Sequence, residues 1–221
     1  MLIEEFIDNL KKVEDTEKIE NPYRNSMQAD NLLIYLRYMK NTSPDTLFVG
    51  EAPGYLGCAL SGIPFTDEFR LTEQGRKGCL PLLEAGYKIA PKNHSKPHKE
   101  TSARIMWSSF VCNDFFPMLW NIFPFHPHNE NSKSSNRTPT QAEIKTHIQV
   151  FFDLLILLPS IKNIYAVGRE AENMLNKLAE DNDDIRHLVT DNNYIRHPAN
   201  GGAAECKKNI SEIARQRQAL R

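Results

Sequence analysis

Three short stretches of this chain carry residue types that could do chemistry on a ligand. In the first, the apolar run Leu47-Phe48-Val49 ends in the loop Gly50-Glu51-Ala52-Pro53-Gly54, where Glu51 is the only charge. The second is Gly62-Ile63-Pro64-Phe65, and the third is Arg196-His197-Pro198 near the end of the chain. Histidine and carboxylate side chains are common proton-transfer groups in active sites. The pattern predicts a buried strand that delivers a rigid, backbone-rich loop to a ligand.

The elements that must position these stretches alternate between helix and strand. Apolar residues at helical spacing predict helices over 1–20, 26–40, 67–85, 140–159, 169–180 and 202–218. Short apolar runs predict strands over 46–49, 118–123, 161–167 and 189–196. We expect a surface loop over 88–103 and a mobile excursion over 124–139. This alternation predicts an α/β fold, a three-layer α/β/α sandwich around a central four-stranded, mainly parallel sheet.

The predicted sheet also says where a ligand would bind. In open α/β sheets, ligands bind at the carboxyl ends of the strands. The loops after Val49, Phe123 and Ile195 all leave such ends, so we expect them to converge on one cleft.

Composition excludes some classes of protein. The 221 residues fit one domain, 1–221, with helices in 1–40 packed on the α/β core. The chain is 40% hydrophobic and 25% charged, and it lacks an apolar run long enough to cross a bilayer. The acidic N-terminus, Met1-Leu2-Ile3-Glu4-Glu5, is unlike a secretory signal, so we expect a cytoplasmic protein. We also expect it to be a monomer. A net charge of −1 does not by itself indicate a nucleic-acid partner.

The cysteines and histidines do not predict a metal site. None of the four cysteines has a partner at the two-residue spacing of metal sites, so we expect reduced, mostly buried thiols: Cys58, Cys79, Cys112 and Cys206. The pairs His94/His98 and His126/His128 lie in polar, proline-containing segments that offer no fixed helical face. We therefore expect no metal and no cofactor.

Taken in order, the motifs resemble those of the uracil-DNA glycosylase superfamily. The likeness spans 50 to 200 and rests on the two glycine-rich stretches, on Asn121 at a strand end and on His197-Pro198. The first loop is similar to the branch that begins Gly-Glu-Ala-Pro-Gly. That branch places iron–sulfur cysteines before this loop, whereas no cysteine precedes Cys58 here. The resemblance implies a hydrolase of base excision repair that acts on DNA containing uracil or a related lesion.

The resemblance also implies a catalytic pair. His197, held by Pro198, would donate a hydrogen bond to uracil O2 as charge develops on the departing base. Glu51 would orient or deprotonate the attacking water and balance charge on the sugar. A buried histidine satisfied by the backbone and a loop carboxylate bonded to nearby amides are the alternatives for these two residues.

Further positions are implied for the base and for the DNA backbone. Phe65 would stack on the flipped base, and Asn121 would pair with its N3 and O4, with Ala52 and Tyr55 completing the pocket. An ordinary core phenylalanine and a turn asparagine are the alternatives. The positions implied to approach the DNA backbone are Gly54, Pro198, Asn200, Gly201 and Gly202.

The chain departs from its relatives at three places. Ala52 stands where the best-studied branch has its catalytic aspartate, and Gly54 stands where some relatives have a tyrosine that excludes the methyl group of thymine. The stretch Ala199-Asn200-Gly201-Gly202 lacks the apolar wedge that follows His-Pro in relatives. Because unstacking a base costs a few kcal/mol, we expect single-stranded or mismatched substrates to be preferred.

Two other functions remain open from the sequence. The protein could bind a nucleobase or damaged DNA with little catalysis, as Ala52 and the missing wedge suggest. It could instead hydrolyse a free nucleotide or nucleoside in the same cleft. A labelled uracil oligonucleotide distinguishes these functions, because only the glycosylase releases base from DNA.

Overall fold

The computed structural model of the protein describes residues 1–90 and 96–220, with only the backbone of residues 190 and 191. The strands are β1 (Ile19–Glu20), β2 (Thr46–Gly50), β3 (Met118–Asn121), β4 (His126–Pro127), β5 (Asn163–Val167) and β6 (Val189–Ile195). A parallel sheet with the order β3-β2-β5-β6 forms the centre, and β1 and β4 form a separate antiparallel ribbon. The fully buried apolar residues of β2 are typical of a strand covered on both faces.

Helices surround this sheet. They are α1 (Ile3–Lys11), α2 (Ser26–Thr42), α3 (Cys58–Ser61), α4 (Glu68–Leu71), α5 (Thr101–Cys112), α6 (Gln141–His147), α7 (Gln149–Leu157), α8 (Arg169–Asp181), α9 (Asp183–Arg186) and α10 (Ala203–Ala219). Short 3₁₀ turns occur at Pro22–Arg24 and Leu80–Leu82. The predicted α/β fold with a four-stranded parallel sheet between helices is confirmed.

Aromatic side chains fix the helices to opposite faces of the sheet. Phe48 of β2 lies 5.9 Å from the ring of Phe110 in α5, centroid to centroid. Trp120 of β3 pairs in register with Val49, the next residue along β2, and therefore points to the other face. There it lies 5.8 Å from Phe6 of α1. The core thus has one aromatic layer on each side of the sheet.

Two predicted elements are wrong. Most of the predicted helix 67–85 is irregular, because Gly75 packs against the Phe69 carbonyl, where a Cβ would approach to 1.8 Å. Helix α5 begins inside the predicted surface loop 88–103, and its first apolar turn is buried through Ala103. His94, one of the histidines considered for a metal, lies outside the described residues.

Two further helix predictions have wrong boundaries. The first helix ends at Lys11 rather than near residue 20, and the chain then continues into strand β1. The predicted helix 140–159 is interrupted at Ile148 into α6 and α7. Thr140 caps α6 as predicted, because its hydroxyl accepts a hydrogen bond from the N–H of Glu143.

The segment 124–139 is anchored, not the mobile excursion that its composition predicts. Its strand β4 pairs with β1, and the buried His126 ring lies between two carbonyl oxygens. Nδ1 is 2.8 Å from the Pro53 oxygen, and Nε2 is 3.0 Å from the Lys133 oxygen. These contacts tie the segment to the loop that follows β2, a long-range link that local composition does not encode.

Within the described residues, no helix has both the length and the apolar character needed to span a membrane. The cysteines are free thiols, of which Cys112 is exposed and Cys58, Cys79 and Cys206 are buried, as predicted. The described part of the chain contains no group of three or more His, Cys, Asp or Glu side chains that could hold a metal ion.

Candidate active site

The loops after four strands meet in one cleft of about 490 Å³. Its walls come from loop 50–54 after β2, Asn121 at the end of β3, residues 167–171 after β5, and Arg196, His197 and Asn200 after β6. This convergence follows from the parallel sheet, because all four strands end at the same edge. Phe65 and the segment 136–138 also line the cleft, and its remaining lining residues are Cys58, Glu100, Ser102 and Pro127.

Gly50 joins the two residues predicted to bind a base. A Cβ at position 50 would lie 2.6 Å from Oδ1 of Asn121 and 2.7 Å from Cζ of Phe65, so both side chains reach across the bare Cα. Asn121 is 5% exposed and pairs with Gly50 in the β2–β3 register. Within the described residues, its amide has no hydrogen-bond partner and faces the cleft. The amide is therefore free to pair with a ligand.

The Phe65 ring is presented by a strained turn. Phe65 has φ +54°, a conformation that is rare for a bulky residue and costs on the order of 1–3 kcal/mol. Hydrogen bonds hold the turn: the Ser61 hydroxyl donates to the Thr66 carbonyl at 2.7 Å, and Trp107 Nε1 donates to the Thr66 hydroxyl at 3.1 Å. This support keeps the half-buried ring in the cleft rather than in the core.

His197 has a defined tautomer. Its Nδ1 accepts a hydrogen bond from the backbone N–H of Ala199 at 3.2 Å, so the ring proton is on Nε2. Burial lowers the pKa of His197, and the nearby Arg196 charge lowers it further. The imidazole is therefore neutral and has one N–H to donate. Gly168, with φ +96°, supports the ring, because a Cβ there would lie 3.2 Å from that of His197.

Glu51 is the carboxylate of the first loop and is half-buried in the same cleft. Burial raises its pKa, a hydrogen bond from the Thr138 side chain lowers it, and repulsion from Glu170 raises it. Its elevated pKa favours accepting a proton from a bound water. Ala52, the next residue, also lines the cleft and adds no ionisable group.

The structure places the remaining predicted residues in different surroundings. Gly54 and Asn200 line the cleft, whereas Tyr55 is absent from the lining formed by the described residues. The backbone N–H of Tyr55 donates to Asn136 Oδ1 at 3.0 Å. Pro198 is buried, and Gly201 is exposed.

Gly202 has a packing role that its sequence position does not indicate. A Cβ there would lie 2.1 Å from the His197 carbonyl oxygen, so the loop closes on itself only with glycine at this position. The Arg196 guanidinium lies over the same loop, where it donates to the carbonyls of His197 at 3.4 Å and of Asn200 at 3.3 Å. The close packing at Gly202 and the hydrogen bonds of Arg196 therefore both constrain the loop that carries His197.

Sequence reasoning missed several cleft residues. Their side chains come from segments that seem unrelated in sequence: Glu100, Asn136, Arg137, Thr138, Arg169 and Glu170. For Arg137 the sequence does indicate a position, because the residue lies just before the helix start that the capping box of Thr140 and Glu143 predicts. Glu100 has no comparable signal, since it precedes a helix that the sequence did not reveal.

Comparison with solved structures shows a related fold over the whole chain. The crystal structure of wild-type Pedobacter heparinus SMUG2 matches with a TM-score of 0.68 and 18% sequence identity. The match covers 99% of this chain and 97% of that chain. At this identity the likeness shows the shared fold. No protein-family model and no curated protein matches the sequence.

Proposed function

We propose that the protein is a monofunctional DNA glycosylase that hydrolyses the N-glycosidic bond of a flipped, uracil-like base. One observation carries the proposal: Asn121 and Phe65 meet across Gly50 in the cleft that also holds Glu51 and the neutral His197. The fold shared with SMUG2, a member of the uracil-DNA glycosylase superfamily, supports it. A flipped base needs a stacking face, a polar reader and a donor for its leaving charge.

Base recognition would follow from the free amide of Asn121. Uracil presents a donor at N3 and an acceptor at O4, and one amide can pair with both. Cytosine presents the reverse arrangement, so an amide fixed in one orientation rejects it. Stacking on Phe65 would contribute about 1–3 kcal/mol without distinguishing between bases.

The departing base would be stabilised by His197. As the N1–C1′ bond breaks, its electron pair moves to the base, and negative charge develops on O2. The N–H at Nε2 of the neutral imidazole can donate a hydrogen bond to that oxygen. Such a donor typically accounts for about 10²–10³ in rate.

The water would be activated by Glu51. The carboxylate accepts a proton from water as the water oxygen bonds to C1′, and the hydroxyl then stays on the sugar. Its negative charge also balances the positive charge that develops on the deoxyribose ring. The Thr138 hydroxyl, which bonds to Glu51, would fix the direction of the carboxylate.

The DNA backbone would meet the rim of the cleft. Arg169 and Arg196 line it, and the Arg169 guanidinium lies 4.4 Å from the centre of the Tyr194 ring. Asn200, with φ +51°, stands in the loop where relatives carry an apolar wedge. A polar residue there does not replace a flipped base in the stack, which favours single-stranded or mismatched DNA.

A binding function with little catalysis is the second candidate. The observation that favours it is the absence of a carboxylate at Ala52, which leaves Glu51 as the carboxylate of the first loop. Tight binding of uracil or abasic DNA without base release would identify this second function.

Base release from a labelled single-stranded oligonucleotide with one uracil, read as strand cleavage after alkali, tests the proposal. We expect cleavage by the wild type and a rate about 10²–10³ lower for His197→Ala. His187→Ala, at an exposed histidine outside the cleft, is the control. Wild-type protein that releases no uracil from single-stranded or duplex DNA would contradict the proposed function.

A further inference from the structure

The buried ring of His126 has hydrogen-bond acceptors on both sides. Its Nδ1 is 2.8 Å from the Pro53 carbonyl oxygen, and its Nε2 is 3.0 Å from the Lys133 carbonyl oxygen. A carbonyl oxygen can only accept a hydrogen bond, and a neutral imidazole has one N–H to donate. A neutral ring would therefore turn a bare nitrogen toward one of these oxygens, whereas an imidazolium donates to both. The ring is 1% exposed, so bulk water does not supply the missing donor.

The neighbouring His128 has the opposite surroundings. Its ring is also buried and lies 5.7 Å from that of His126, centroid to centroid. The His128 Nδ1 is 2.9 Å from the Asn129 carbonyl oxygen, and its Nε2 has no hydrogen-bond partner among the described residues. A neutral ring with its proton on Nδ1 satisfies these contacts. The two histidines therefore differ in the number of ring protons that their surroundings require.

The His126 ring joins the first loop to the segment 124–139. Just before it, the backbone N–H of Phe123 donates to the Glu51 carbonyl at 3.0 Å. The ring adds a second bond two residues further along the loop, at Pro53, while its other nitrogen faces the Lys133 carbonyl. The loop that carries the Glu51 carboxylate is thus bonded to the chain that follows β3 at two successive points.

We propose that His126 is a positioning residue whose doubly protonated ring holds the first loop, and with it the Glu51 carboxylate, in place in the cleft. This inference rests on the proposed function, because Glu51 is the residue assigned there to activate water. The imidazolium donates from Nδ1 to Pro53 and from Nε2 to Lys133. When the ring loses one proton, one of these bonds is lost, and the loop is held at fewer points.

The elements packed against the ring are β1, the first loop and the segment 124–139 itself. Their charged and titratable side chains, together with the groups that these pair with, are Asp15, Lys18, Glu20, Glu51, His128, Glu130, Lys133, Arg137 and Glu143. Each of the three cations lies within ion-pair distance of a carboxylate, at 3.5, 3.4 and 2.6 Å for Lys18, Lys133 and Arg137. Because these charges offset one another, the two carbonyl oxygens determine the protonation of the ring. Hydrogen bonds from a charged donor are stronger than neutral ones and offset the cost of burying the charge.

The protonation state can be read directly in the wild-type chain. Two-bond ¹H–¹⁵N correlation spectra of histidine side chains distinguish a protonated ring nitrogen from a bare one. At pH 7 we expect two protonated nitrogens in His126 and one in His128, with the exposed His187 as the reference ring. A bare nitrogen in His126 at this pH overturns the proposal. This readout needs neither a variant nor glycosylase activity.

The amide of Gly54 tests the contact with the first loop, because it belongs to the peptide whose carbonyl faces His126. In the wild type, the ¹⁵N shift of this amide should follow the loss of the His126 ring proton as the pH is raised. In His126→Gln this response should disappear, and in the control His187→Gln, at an exposed histidine outside the cleft, it should remain. A Gly54 shift that ignores the ring in the wild type, or that responds equally in His126→Gln, overturns the contact.

Base release tests the effect on the reaction. His126→Gln keeps one amide donor, and we expect kcat to fall about tenfold while KM changes less than about twofold, because Glu51 acts in the transition state. His187→Gln should keep both constants. A His126→Gln protein that melts like the wild type and keeps its kcat overturns the positioning role. Wild-type protein that releases no base overturns the proposed function and this role in the reaction, while the ring and Gly54 spectra still decide whether His126 holds the loop.

Discussion

The Nδ1 atom of His197 lies 3.2 Å from the backbone nitrogen of Ala199, whose N–H it accepts. This contact assigns the ring proton to Nε2 and leaves one donor for the cleft. The chain must turn back tightly after His197 to place the N–H of Ala199 against the ring. Gly202 allows this turn, because its lack of a side chain lets the backbone pack against the His197 carbonyl.

Burial lowers the pKa of His197 most, and the charge of Arg196 should lower it further. Arg196→Gln removes a positive charge next to the ring, so the pKa of His197 should rise from its lowered value. Histidine ring proton shifts followed by NMR against pH measure this directly. Arg215→Gln, an exposed change on α10, is the control and should leave the titration in place. An unchanged His197 titration in Arg196→Gln would contradict this role.

The pH dependence of base release should follow Glu51. Because the carboxylate must be ionised to accept a proton, the rate rises with pH through the raised pKa of Glu51. Thr138→Val removes a hydrogen bond that lowers this pKa, so the acidic limb of the kcat/KM profile should move to higher pH. Glu170→Gln removes a repulsion that raises it, so the limb should move to lower pH. Shifts in the same direction would rule out this assignment.

The bare Cα of Gly50 should be required for activity. In Gly50→Ala the new methyl would lie within 2.7 Å of Asn121 Oδ1 and Phe65 Cζ, closer than real contacts allow. Asn121 or Phe65 must then move, and a displacement of about 1 Å in a site can cost about 10²-fold in rate. Single-turnover base release and thermal melting together separate this loss from unfolding. A folded Gly50→Ala protein with wild-type rates would show that Gly50 does not order the site.

Asn121 should determine which base is released. Asn121→Asp cannot donate to O4, so uracil release should fall by about 10²-fold or more. Release from matched uracil and cytosine oligonucleotides gives the preference. Asn129→Asp, an exposed change outside the cleft, is the control. If Asn121→Asp keeps the wild-type preference, another residue reads the base.

The ion pair of Arg137 with Glu143 should stabilise the cleft wall. The guanidinium bonds Glu143 at 2.6 and 2.8 Å, which lowers the pKa of Glu143 from 4.5 to about 2. This stabilisation is fully present above about pH 4.5 and is lost as the pH falls toward 2. Arg137→Met should lower the free energy of unfolding by about 1–3 kcal/mol at neutral pH.

Urea unfolding at pH 7 and pH 3 measures this effect, and the difference between Arg137→Met and wild type should shrink at the lower pH. Lys18→Met, which breaks an exposed ion pair with Glu130 at 3.5 Å, is the control and should cost less than about 1 kcal/mol. An equal loss in the two variants would show that burial of the pair is unimportant.

The sequence by itself determined the sheet and the residues at its edge. The apolar run before Gly50 and the apolar residues before Asn121 predict buried strands, because short apolar runs bounded by turn residues are typical of strands that are covered on both faces. The order of the motifs then predicted which loops share a cleft. Helix α5 was not predicted from the sequence, because its polar start at Thr101 follows a loop of similar composition.

Only the tertiary structure decided which side chains complete the site. Contacts between residues far apart in sequence place Thr138 on Glu51 and Glu100 beside Gly54. Periodicity and capping describe neighbours along the chain, and they carry no information about which loop packs against which. The same limit applies to the segment 124–139, whose polar composition predicts mobility. Its order comes from hydrogen bonds to the Pro53 carbonyl and to strand β1, which join residues far apart in sequence.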